Sequence, residues 1–101
     1  MLKKFAFVAA LLPTPILADT CSELGRLAAG VMELRQDGTP VNELIELFSR
    51  PEVPRESRVL MRAMILLAYD TPRFSTERIK SEAAADFANK FMIACYKEVQ
   101  P

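Results

Sequence analysis

The sequence predicts an all-α fold: a small four-helix up-down bundle with one disulfide joining the first and last helices. Three observations carry this. Apolar residues recur at steps of three and four, and no window shows sustained alternation. Gly and Pro stop signals divide the periodic stretch into four. Finally, Cys21 opens the first helix and Cys95 lies near the end of the last. Only an even number of antiparallel helices brings those two points to the same end, within reach of a bridge.

Ahead of the bundle, residues 1–18 read as a secretion signal. Lys3 and Lys4 give a basic start, Phe5 to Leu12 is apolar, and Pro-Ile-Leu-Ala ends at Ala18 with a small residue. The apolar run is far shorter than the roughly 20 residues a membrane span needs. The expected mature domain is residues 19–101, beginning at Asp19, periplasmic or secreted. Cys21 is not its first residue, so the spacing does not suit a lipid anchor.

The first helix is expected from about Cys21 to Gln36. Thr20-Cys21-Ser22-Glu23 has capping-box form. Cys21, Leu24, Ala28, Val31 and Arg35 trace one face, which Leu27 and Leu34 widen. Asp37-Gly38 ends it, with Gly38 free to turn left-handed. The second helix, about Pro40 to Phe48, has Thr39 as its expected N-cap and Val41, Leu44, Ile45 and Phe48 as its stripe. Two prolines, Pro51 and Pro54, make the following stretch a linker.

The third helix is expected from Arg55 to Tyr69. From Val59 onward it is apolar almost all round, which places it in the middle of the core. Asp70-Thr71-Pro72 stops it. The fourth and longest runs from about Thr76 to Val99, capped by Ser75 or Thr76. Its apolar face is Ile79, Ala83, Phe87, Phe91, Ala94 and Cys95.

Export leaves 83 of the 101 residues, which is one domain with a small core. Loss of Lys3 and Lys4 leaves 11 Lys+Arg against 13 Asp+Glu, a formal charge of about −2. A slightly acidic domain argues against nucleic acid as a partner and against an electrostatic membrane-surface module. The two cysteines of an exported domain predict a disulfide, worth roughly 4 kcal/mol for so long a loop.

No histidine occurs anywhere. That removes the Ser-His-Asp and Cys-His classes and the commonest metal ligand. No phosphate-loop, dinucleotide or zinc-protease motif is present, and no cofactor is implied. Glu43 with Glu46, and Glu82 with Asp86, are carboxylate pairs at helical spacing, read as solvated faces rather than a glycosidase pair. The expectation is no catalysis. Met32, Met61, Met64 and Met92 read as core filler, and Gly25 and Gly30 as points where another helix approaches closely.

The loops after the first and third helices share one end of the bundle, away from the disulfide. They gather Arg35, Gln36, Asp37, Tyr69, Asp70, Arg73 and Phe74. Arg, Tyr and Phe favour binding hot spots, so Arg35, Asp37, Tyr69, Asp70, Arg73 and Phe74 form the candidate partner-binding surface. The competing role for the same residues is to cap helix ends and close the bundle.

The order of Cys21, Arg35-Gln36-Asp37-Gly38, Ala68 to Phe74, Asp86-Phe87 and Cys95-Tyr96 is similar to that of a group of small, exported, uncharacterised helical proteins of bacteria, their phages and prophages. That resemblance implies a small helical periplasmic protein and carries no site residues. A weaker likeness is to periplasmic acid-stress chaperones, also small, helical and single-disulfide, although their bridge lies further inside the chain. The first functional expectation is therefore a module that binds another envelope or secreted protein, in an inhibitor, immunity or phage-exclusion role. The second is a chaperone that exposes its core when carboxylates protonate.

Overall fold

The computed structural model describes residues 13–99. Among them are four helices and no strand: α1 (Pro13–Asp37), α2 (Val41–Leu47), α3 (Arg55–Tyr69) and α4 (Glu77–Glu98). The all-α bundle is as expected. Cys21 and Cys95 form a disulfide with their Cα atoms 5.5 Å apart, joining the first helix to the last. At the other end, Gln36 of α1 is bonded to the loop leading into α4. The two longest helices are therefore antiparallel and pinned at both ends.

Several boundaries differ from expectation. Residues 1–12 of the signal-peptide reading lie outside the described residues, and Pro13–Ala18 form the start of α1. Thr20 thus sits inside the helix rather than at its N-cap. The capping box has no end amides to satisfy there, because Pro-Ile-Leu-Ala upstream continues the helix. Pro40, not Thr39, occupies the N-cap of α2, and no side chain caps it. The cap of α4 is as expected: Thr76 Oγ1 accepts from the Ile79 N–H at 3.3 Å.

The core gathers Ala28, Val31 and Met32 of α1, Leu44 of α2, Met61, Met64, Ile65 and Ala68 of α3, and Ala84 and Phe87 of α4. Three methionines are therefore core filler, as read from their spacing. Phe91 stacks edge-on against Phe87, ring centroids 5.1 Å apart. The widest interface is between α1 and α4, while α3 packs on α1 and α2.

The buried face of α1 is rotated from the expected one. It runs through Cys21, Ala28, Val31, Met32 and Gln36, whereas Leu27 and Leu34 stay exposed. The position of α4 explains this: it crosses α1 on the Gly25 side. A Cβ on Gly25 would lie 2.5 Å from Met92 Cγ and Sδ, so the missing side chain is what admits α4 so closely. Gly30 has no such role; a Cβ there would meet nothing within 4 Å.

The expectation for α3 needs the largest correction. It is not surrounded by core. Met61, Met64, Ile65 and Ala68 are buried, but Val59, Leu60, Leu66 and Leu67 are exposed. Only one side of α3 meets other helices, because the three other described helices are too few to encircle it.

Candidate functional site

Two surfaces bear on function. The first is the loop cluster. Gly38 ends α1 with φ +94°. Its N–H donates to Arg35 O at 3.1 Å, and the Thr39 N–H donates to Leu34 O at 3.0 Å, the paired bonds of a Schellman ending. This turn presents the last residues of α1 to the loop after α3.

Gln36 is 1% exposed. Its Nε2 donates to Pro72 O at 2.9 Å, and its Oε1 accepts from the Phe74 N–H at 2.8 Å. Its own backbone carbonyl accepts from Arg73 Nε at 3.2 Å. One side chain and its carbonyl thus hold three consecutive loop residues. Arg35 Nε donates to Thr71 O at 2.9 Å, and its guanidinium lies 5.0 Å from the centre of the Tyr69 ring. The Tyr69 hydroxyl donates to Thr39 O. Burial pushes the Tyr69 phenol above its ordinary value, and the Arg35 cation opposes that shift.

The six candidate residues thus come together at one end but divide into two groups. Arg35, Tyr69 and Phe74 are half-buried and tied into the closure; Asp37 and Asp70 are exposed, and so is Arg73, although its Nε is bonded to the Gln36 carbonyl. The Arg73 guanidinium lies over Gly38, about 3.1 Å from where a Cβ would stand. Gln36 is the central residue of the cluster. Its signal in the sequence was its place four residues after Met32, on the face that turns inward.

The second surface was not read from the sequence as exposed. Between α3 and α4 lies an open groove of about 270 Å³, lined by Leu67, Thr71, Phe87, Lys90, Phe91 and Ala94. Beyond Thr71, Phe87 and Lys90 it continues past Met32, Phe74 and Ile79. Leu67 is 53% exposed on its bank. Glu82 and Asp86 line its far part, and Glu82 accepts from Arg78 at 2.9 Å on the surface. Glu43 and Glu46 are likewise exposed, so both carboxylate pairs lie on solvated faces. No described helix is long and apolar enough to cross a membrane.

Comparison with protein-family models, curated proteins and solved structures finds no match for this chain.

Proposed function

We propose that this chain is a periplasmic protein-binding module, of inhibitor, immunity or phage-exclusion type, and that it carries out no catalysis. The supporting observation is the open α3–α4 groove: an apolar floor of Phe87, Phe91 and Ala94, with Leu67 on one bank and Lys90 on the edge. An exposed apolar channel between two helices suits the apolar face of an amphipathic helix. The partner is an envelope or secreted protein presenting such a helix, with an acidic residue placed to meet Lys90. Asp37, Asp70 and Arg73 at the closed end add polar contacts around it. The Cys21–Cys95 bridge is consistent with an oxidising compartment.

A photo-crosslinking residue at position 67, in protein exported from its own host, tests this. The expected product is one heterologous envelope or secreted protein, lost when Phe91 or Ala94 is replaced by Asp while helicity is kept. A crosslink only to a second copy of the chain, or none at all, refutes the reading. Capture of many unrelated proteins, and only at strongly acidic pH, replaces it with the chaperone reading. Mass spectrometry of the same fraction checks location: a chain beginning at Asp19 is expected.

A further inference from the structure

A second feature lies on the opposite half of α3 and is independent of the groove. Arg55, Arg58 and Arg62 fall within about 60° of arc on the helix, at 100° per residue. With Ser49 and Val59 they line a depression of about 330 Å³. None of the three makes an ion pair or a side-chain hydrogen bond among the described residues. The Nε of Arg58 is shut off from solvent and has no partner.

Helix physics disfavours this arrangement three times over. Like charges at spacings of three and four repel. Arg55 and Arg58 stand in the first turn, where the helix dipole is already positive. A buried donor without an acceptor has lost its water and gained nothing. The first two costs become gains when an anion occupies the depression, and the third is relieved when the Arg58 side chain turns its Nε–H toward that anion. The chain's net charge hides the feature; Glu56 also stands in the first turn of α3, but it makes no ion pair with the three arginines.

We infer that this depression binds a phosphomonoester group. Three guanidinium groups beside a positive helix end match a dianion with several oxygens. A lone carboxylate fills one guanidinium fork and leaves two cations unmatched. The same chemistry is offered by a soluble phosphate ester and by a phosphatidic-acid headgroup.

The test uses the disulfide-bonded chain. Inorganic phosphate is titrated at constant ionic strength, with acetate as control, while the arginine Nε–H resonances are followed by NMR. Phosphate should shift the Arg58 Nε–H signal saturably, and acetate should not. Arg55→Gln and Arg62→Gln should each weaken binding about ten-fold. The same two variants should melt at a higher temperature than the parent without phosphate, which residues with a structural role would not do. Phosphatidylcholine vesicles with and without phosphatidic acid then separate the sources: binding only with phosphatidic acid present assigns the headgroup, and no vesicle binding assigns a soluble ester. Equal shifts with acetate, or no saturable shift with either phosphate or vesicles, overturn the inference.

Discussion

The Gln36 side chain accepts the Phe74 N–H at 2.8 Å and donates to the Pro72 carbonyl at 2.9 Å, so one buried amide reads both faces of the turn before α4. An amide is suited to this because it carries a donor and an acceptor side by side. Among the described residues no main-chain group bonds the Pro72 carbonyl or the Phe74 N–H, and the Gln36 side chain supplies both partners. Replacing it with Leu keeps the volume but leaves a carbonyl and an N–H unpaired. A loss of about 2–4 kcal/mol is expected from chemical denaturation. Native-state hydrogen exchange should show the Phe74 amide losing protection first.

Tyr69→Phe removes one hydrogen bond and keeps the ring against Arg35. A loss of about 0.5–1.5 kcal/mol is expected. The phenol's pKa is raised by burial in the folded state, so its contribution is complete below the unfolded value. That contribution is lost as pH rises through the folded value. Ultraviolet titration of the native protein should show a tyrosine step above the ordinary range, absent from Tyr69→Phe.

The three glycines should respond differently to alanine. Gly30→Ala adds a methyl group to open space within a helix and should stabilise by about 0.5–1 kcal/mol. Gly38→Ala forces a left-handed alanine beneath the Arg73 guanidinium and should cost at least about 1–2 kcal/mol. Gly25→Ala must displace Met92 and should show none of the gain seen at Gly30. Melting curves of the three variants, measured together, check the order.

Leu67→Asp should stay folded, since the side chain it removes is exposed. Ile65→Asp, two residues away and fully buried, should unfold the domain. Circular dichroism separates the two. An unfolded Leu67→Asp would place that residue in the core and close the α3–α4 groove.

Reduction of Cys21–Cys95 should withdraw roughly 4 kcal/mol and lower the melting temperature by many degrees. Thiol titration of native, unreduced protein should find no free cysteine.

The helix count, the stop signals and the disulfide were legible because each rests on local chemistry or simple parity. Thr76, Gly38 and the Asp70-Thr71-Pro72 stop do their work within a few residues of themselves. The exposed side of α3 was not legible. Leu66 and Leu67 are as apolar as Met64 and Ile65, and only the placement of neighbouring helices decides which of them are covered. Gly25 and Gly30 likewise look alike until α4 crosses one and not the other. At the closed end, Arg35, Tyr69 and Phe74 carried the aromatic and cationic signals, whereas Gln36 is an ordinary polar residue by composition. Its importance comes from contacts more than thirty residues away.

The broad contact between α1 and α4 has a consequence for how the chain is made. Among the described helices, α1 is made first and has α4, made last, as its main neighbour. Until residues near Cys95 emerge, α1 has only the smaller face of α3 to rest on. A nascent chain therefore waits, incompletely packed, for its own C-terminal segment. Such a chain stays open longer than one whose packed helices are also neighbours in sequence, because its widest interface joins segments far apart along the chain.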